Sequence, residues 1–304
     1  MQRFDVHILG CGSALPTMKH YPSAQVVDIR DKLFMIDCGE GAQLQFRKNR
    51  LRFNRLNRIF ISHLHGDHCF GLIGLISTLG LLGRTGDLVI HSVPDTESIL
   101  RPQLNYFCRD LSFNVKIETF NHLKSEVIYH DRSVKVTTIP LNHRVPCAGF
   151  LFQEQEGDKH IIGDMIKYYN IPLKTIALIK KGADYTTTDG IIVPNSRLTK
   201  PADRIRSYAY CSDTAYSEKI IPIIEGVDML YHEATFLEED IARAKKTGHS
   251  TAGEAAKIAQ LANVKKLMIG HFSSRYENFD LLLNEALQIF PNTVLANENL
   301  CEKL

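Results

Sequence analysis

Ile61–Gly71 reads "ISHLHGDHCFG" and sets His63, His65, Asp67 and His68 within six consecutive positions. The apolar triplet Ile59, Phe60 and Ile61 leads into it, so the group stands at the end of a strand. In extended backbone, residues two apart share a face, which aims His63 and His65 the same way, unlike the i,i+4 pair of a helical HExxH. Gly66 reads as a sharp turn, with Asp67 and His68 entering the next helix. Four such groups this close repel or go unsatisfied unless a cation neutralises them, so the stretch reads as a cluster of metal ligands, enough to begin two sites. The remaining ligands must lie downstream. Strand ends offer His143 in "PLNHRVP", Asp213 in "YCSDTAY" and His271 in "MIGHFSSRY", and His232 in "YHEATF" comes close.

The 304 residues carry 36 basic and 34 acidic side chains, a formal charge of +2, with 44% hydrophobic and 23% charged content, the profile of a soluble globular chain. Global charge does not select an anionic partner, which leaves local clustering to decide. The seven cysteines are scattered and form no CxxC pair, so neither a disulfide scaffold nor a thiolate zinc site is written here; reduced thiols in a cytoplasm fit. The N-terminus lacks a signal-like apolar run and no 18-residue apolar stretch follows, so export and membrane spanning are not expected.

Strand patterns ("FDVHIL", "AQVVDI", "LFMID", "RIFIS", "LVIH", "VKIETF", "VKVTTI", "AGFLF", "SYAYCS", "DMLYHE", "KLMIG", "NTVLA") dominate the first half and alternate with helices in the second. Helical patterns cover 66–82, 94–106, 217–225, 236–246, 251–262 and 276–290. Packed sheets flanked by helices are expected. The stretch 153–203 differs: polar, rich in Lys, Gly and Pro, weakly periodic and too long for an ordinary connection, it reads as an insertion or projecting arm.

The ordered motifs "ILGCGSALPT", "MIDCGEGAQLQF", "ISHLHGDHCFGLIGLISTLGLLGR", "LNHRVPCAGF", "YCSDTAY", "LYHEATF", "GHSTAGEAAKIA" and "MIGHFSSRY" run nearly the whole length. Together they resemble ribonuclease Z, the tRNA 3′-processing endonuclease of the metallo-β-lactamase superfamily. The resemblance implies an α/β (α+β) fold, an αββα sandwich spanning residues 1–304 as one domain, with the segment at about 153–203 as a tRNA-binding exosite arm. It further implies two zinc ions per subunit, one held by His63, His65 and His143, the other by Asp67, His68 and His271, with Asp213 bridging. Nitrogen-rich, oxygen-supplemented ligation suits zinc, with manganese as the alternative. Asp67 doubles as general base, and His249 becomes the proton donor, oriented by Glu233, where its residue-level reading was a helix cap near Ser250. Asp37 and Glu40 read either as carboxylates that orient a ligand imidazole or as strand-end turn residues.

Two dications against Asp67 and Asp213 leave a net cationic site suited to a phosphodiester. Cleavage of precursor tRNA would leave a 3′-hydroxyl on the tRNA and a 5′-phosphate on the trailer. The competing readings are a thioester or lactam hydrolase and a metal-stabilised RNA-binding module. Asp213 where many lactamases place cysteine speaks against the first, and a full ligand set with an open water position against the second. For RNA, Phe46–Arg58 supplies Arg47, Lys48, Arg50, Arg52, Arg55 and Arg58 with no acid, either a phosphate-binding stripe or a solvated helix face. The arm keeps Pro172, Lys174, Lys180 and Lys181 but lacks the family's Gly-Pro tip, and "TMKHYPSAQ" replaces the Arg-Asn common after the first glycine-rich motif. The resemblance also implies a homodimer in which one subunit's arm presents tRNA to the other's metals.

Overall fold

The computed structural model describes residues 2–304. Apolar alternation in the first half produces β1 (Phe4–Gly10), β2 (Ala24–Ile29), β3 (Lys32–Ile36), β4 (Leu56–Phe60), β5 (Leu88–Ser92) and β6 (Val115–Thr119). There follow β7 (Val127–His130), β8 (Val134–Pro140), β9 (Ala148–Glu154), and the short β10 (His160–Ile161), β11 (Tyr185–Thr186), β12 (Ile192–Val193) and β13 (Thr199–Lys200). The second half adds β14 (Ser207–Cys211), β15 (Met229–Glu233), β16 (Leu267–Gly270), β17 (Thr293–Leu295) and β18 (Cys301–Lys303). These residues divide into two compact units, 2–153 with 206–304, and 154–205. No helix among the described residues is long and apolar enough to cross a membrane.

In the larger unit, one sheet runs β18-β1-β2-β3-β4-β5-β6 and the other β17-β16-β15-β14-β9-β8-β7. Their facing sides interdigitate: Phe34 and Phe60 meet Phe150 and Phe152 with ring centroids 5.4 to 6.1 Å apart, and the Tyr208 hydroxyl donates across the gap to Gln25. Each fully buried Phe, Leu or Ile contributes roughly 1.5–3 kcal/mol, so this largely apolar middle layer is a principal source of stability. Helices Ala42–Lys48, Leu72–Leu81 and Thr96–Phe107 cover the outer side of the first sheet through Phe46, Leu75, Leu79 and Leu100. Helices Ala252–Leu261 and Asp280–Leu287 join the core through Ala255, Ala259 and Leu282, the first of them packing on β15 and β16. The layers are helix, sheet, sheet, helix, the αββα order the sequence implies.

The helical pattern over 66–82 is broken into Gly66–Cys69 and Leu72–Leu81. Gly71 causes the break. Its N–H donates to Cys38 O at 2.8 Å, and a Cβ there would sit 2.2 Å from Gly39 O. Gly66 is not the expected sharp turn, for its φ is not positive; its bare α-carbon makes room for the Phe70 ring, 2.3 Å from where a Cβ would stand. The pattern at 236–246 shortens to a 3-10 turn, Glu238–Asp240, and helix Ile241–Thr247. Arg47 to Arg58 do not share one helix face: the helix ends at Lys48, and Arg58 lies on β4 over the Tyr129 ring at 4.2 Å. Arg55 pairs with Asp31 at 2.7 Å, while Arg47, Lys48, Arg50 and Arg52 stay exposed.

The smaller unit has its own core of Ile171, Ile179, Tyr185, Val193 and Leu198. Two-residue ladders β10–β13 and β11–β12 and helices Gly163–Tyr168, Leu173–Lys180 and Asn195–Leu198 enclose it. Buried Asn195 ties it together, donating to Ile179 O and Ala183 O at 2.6 and 2.9 Å and accepting from Lys159 and Thr199 at 2.9 Å. The segment leaves the chain after β9 and returns at β14, two strands that pair antiparallel, so it is inserted within a hairpin and leaves the sheet register intact.

Gly71→Ala is expected to force Cys38 and Gly39 away from the helix and to cost about 1–3 kcal/mol, the scale of an overpacked contact. Urea denaturation measures this, and an unchanged midpoint would refute the contact.

Candidate active site

Strands β3, β4, β14, β15 and β16 all deliver a polar residue at or just past their C-terminal ends. Asp37 follows β3, His63 and His65 follow β4, Asp213 follows β14, Glu233 ends β15 and His271 follows β16. His143 comes from the loop after β8. Three of these turn abruptly: Asp37, Asp213 and His271 have φ of 55°, 61° and 59°. The left-handed conformation costs a non-glycine residue roughly 1–2 kcal/mol, although Asp and His tolerate it better than most.

The turns bring the donors together around Asp213. Asp213 Oδ1 lies 3.7 Å from His63 Nε2 and 3.9 Å from His143 Nε2, and His65 Nδ1 lies 2.9 and 3.4 Å from those same nitrogens. Asp213 Oδ2 lies 3.0 Å from His68 Nε2 and 3.3 Å from His271 Nε2, and Asp67 Oδ2 is 3.4 and 3.5 Å from that pair. One carboxylate therefore stands between two donor groups, His63, His65 and His143 on one side and Asp67, His68 and His271 on the other. His249 joins at the edge, its Nδ1 3.9 Å from Asp213 Oδ1.

The outward hydrogen bonds fix the tautomers. His68 Nδ1 donates to Asp37 Oδ2 at 2.7 Å and His143 Nδ1 to Gly248 O at 2.9 Å. Ser62 gives its proton to Asp37, so its oxygen accepts from His63 Nδ1 at 3.0 Å; Thr235 gives its proton to Glu233 and accepts from His271 Nδ1, also at 3.0 Å. Each of these imidazoles is left with an Nε2 lone pair aimed inward. The Nε2 atoms of His68 and His271 stand 3.4 Å apart, and His65 Nδ1 lies 2.9 and 3.4 Å from those of His63 and His143; nitrogens this close call for a shared cation. The donor set thus fits a pair of divalent metals.

The carboxylates also draw positive charge to the cluster, where a proton competes with a cation for His68 Nε2. Burial opposes a charge on His68, yet Asp213, Asp37 and Asp67 outweigh it and hold its pKa well above the ordinary value. Burial would raise Asp213, but His271, His68 and His63 bring it well below the carboxylate range. Buried carboxylates here demand positive charge, which protons or metal ions can meet.

Glu233 is fully buried and accepts four hydrogen bonds, from Thr214 N (2.7 Å), His249 Nδ1 (2.9 Å), Thr235 Oγ1 (2.6 Å) and Ser250 N (3.1 Å). Burial works against the His249 imidazolium, but this carboxylate prevails and holds its pKa up at about 9. His249 caps no helix; that role belongs to Thr251, in a capping box with Glu254. His232 stays outside the site, its Nδ1 donating to Glu233 O. Glu40 lines the cleft but not the cluster, whereas Asp37 lies beneath it. Tyr210, whose hydroxyl donates to Asp37 Oδ2 at 2.7 Å while its ring stacks on Tyr231, and the serine and threonine that orient His63 and His271 carry no site motif in the sequence. Alternation along "SYAYCS" marks Tyr210 as inward-facing, which was the one available signal. Above the donors opens a cleft of about 590 Å³, edged by Ser13, Pro22, Phe70, Arg144 and Phe236, into which Asp67, His249 and His271 look.

Residues 4–155 match the family model described as Anti-Pycsar protein Apyc1. That match stops short of Asp213, Glu233, His249 and His271. Ribonuclease Z of Bacteroides fragilis is 58% identical over 304 residues, covering 100% of both chains, and that of Porphyromonas gingivalis 56% identical over 300 residues, covering 99% of each. Among solved structures, human tRNase Z, short form, superposes with a TM-score of 0.70 at 24% identity over 98% of both chains. The metallo-beta-lactamase fold protein YhfI from Bacillus subtilis gives 0.71 at 19% over 100% of both. The structural likenesses establish the metallo-β-lactamase fold, and full-length identity above one half goes further: the chain belongs to the ribonuclease Z family.

Proposed function

We propose that this protein is a metal-dependent endoribonuclease that removes the 3′ trailer of precursor tRNA by hydrolysing one phosphodiester, leaving a 3′-hydroxyl on the tRNA and a 5′-phosphate on the trailer. The observation that carries this reading is Asp213, whose two oxygens face separate imidazole groups beneath an open cleft. We assign His63, His65 and His143 to one zinc, Asp67, His68 and His271 to a second, and Asp213 to both, with manganese as the alternative metal. When bound, the cations polarise the phosphodiester and acidify the attacking water. Asp67 looks into the cleft and takes that water's proton as general base. His249 spends Nδ1 on Glu233, which leaves Nε2 to protonate the departing ribose 3′ oxygen. Glu233, saturated by four donors, orients His249 and keeps it protonated, and it fixes His271 through Thr235. The seven cysteines are free, which suits a reducing cytoplasm.

The test is a precursor tRNA with a 3′ trailer, its products mapped to the nucleotide with their end groups, alongside metal analysis. Chelation should abolish cleavage, and zinc or manganese should restore it. His249→Ala should keep both metals yet cleave tRNA roughly 10²-fold or more slowly, with rescue on a nitrophenyl phosphodiester whose leaving group needs no proton. Equal loss on both substrates would remove His249 from the acid role.

Residues 154–205 we assign as the exosite, on their position as an inserted unit and on Lys174, Lys180 and Lys181 in and after helix Leu173–Lys180. Replacing 168–188 by a Gly/Ser linker should raise KM for precursor tRNA and spare small phosphodiesters, since remote binding energy serves positioning. Neutralising the three lysines should flatten the salt slope of binding by about one unit per lost phosphate contact. Unchanged tRNA affinity in a folded, metal-loaded variant would pass the role to Arg47, Lys48, Arg50 and Arg52.

The neighbouring helices Leu72–Leu81 and Thr96–Phe107 expose Leu81, Tyr106 and Phe107 at 88, 68 and 65%, apolar area that suits a second copy of the chain. Sedimentation equilibrium should return a dimer that Leu81→Asp weakens; a monomer at micromolar concentration would refute it.

A further inference from the structure

We propose that Cys11, His20 and Glu298 form a separate cation site of the zinc type, sharing no residue with the histidine and aspartate donors of the cleft. Cys11 Sγ lies 3.7 Å from both His20 Nδ1 and Glu298 Oε1, and His20 Nδ1 lies 2.9 Å from Glu298 Oε2. Tetrahedral zinc bonds of about 2.3 Å to sulfur and about 2.0–2.2 Å to nitrogen and oxygen imply ligand separations of roughly 3.3–3.6 Å. The three donors already stand near the corners of such a face, so a cation could seat with shifts of a few tenths of an ångström.

The surroundings favour it. Cys11 is fully buried and Glu298 nearly so, while the His20 side chain is 20% exposed, which leaves a water-accessible fourth position. Glu298 Oε1 also accepts the Tyr21 N–H at 2.8 Å, and the His20 ring packs on Phe279 at 4.7 Å, so both ligands are held in place. Thiolate and carboxylate carry two negative charges that a dication cancels, giving a neutral buried unit. Burial and Glu298 keep the free Cys11 thiol protonated, so the cation must displace that proton, and uptake releases it to solvent.

The site would fasten one wall of the cleft. Between Cys11 and Pro22 the chain supplies Ser13, Ala14, Pro16 and Pro22 to that wall, and Glu298 approaches from the far end of the sequence. Gly12 N–H donates to Tyr21 O and Ser13 N–H to Phe272 O, both at 3.0 Å, which links the clamp to the residue after His271.

Cobalt(II) is the probe. The cleft donors include no cysteine, so thiolate-to-cobalt charge-transfer absorption in the near ultraviolet separates a thiolate site from the cleft. The full chain, stripped by chelation and reloaded with cobalt, should show that band and hold about one more equivalent than Cys11→Ser, which should lack it. Glu298→Gln should weaken it. Cys301→Ser should keep it, which matters because Cys301 Sγ lies 3.9 Å from His7 Nε2. If Cys11→Ser does not fold by circular dichroism, His20→Asn takes its place in the same measurement. A wild-type protein without the band once the cleft is saturated, or a band that survives loss of Cys11 or His20, would overturn the proposal and leave a hydrogen-bonded clamp only.

Discussion

A single buried carboxylate, Asp213, has to satisfy imidazoles on both of its oxygens, and the architecture of the larger unit follows from that demand. It can meet them only if the ends of strands from both sheets converge, which requires the sheets to face each other with their polar ends aligned. The aromatic layer of Phe34, Phe60, Phe150 and Phe152 packs between the sheets and holds that alignment. Left-handed backbone at Asp37, Asp213 and His271 then turns the chain sharply enough to leave the side chains at the sheet edge. Some of the energy of the apolar layer thus offsets strain beside the donors, the usual place for it.

Around this centre the second ring of contacts is as specific as the first. Asp37 serves His68, Ser62 and Tyr210 at once, and Glu233 serves His249, Thr235 and two backbone amides. Both carboxylates are fully buried and neither has a free lone pair to spare for substrate. Their hydrogen bonds orient rings: Asp37 holds His68 directly and His63 through Ser62, and Glu233 holds His249 directly and His271 through Thr235.

What the sequence made legible depended on how local the physics was. HxHxDH could be read because four donors within six residues have no other satisfactory explanation, and the αββα order because strand alternation and helical periodicity are properties of neighbouring residues. The break at Gly71 could not, since its cause is the crossing of Cys38 and Gly39, distant in sequence. Asp37 and Glu40 stayed ambiguous because a strand-end carboxylate looks the same whether it turns the chain or holds an imidazole. Tyr210 looked like any core aromatic. The 154–205 unit hid its order because two-residue strands and helices of four to eight residues are too short to show a period. The basic run from Arg47 to Arg58 misled in the other direction: continuous in sequence, it is divided in space between a helix, a turn and a strand.

The donors are collected from His63 onward to His271, late in the chain. A polypeptide emerging from the ribosome completes the HxHxDH segment early, yet neither donor group closes until His143, Asp213 and finally His271 have followed. Assembly of the two groups thus waits on the last of these residues to be synthesised, and a product cut short before His271 lacks one member of the second group.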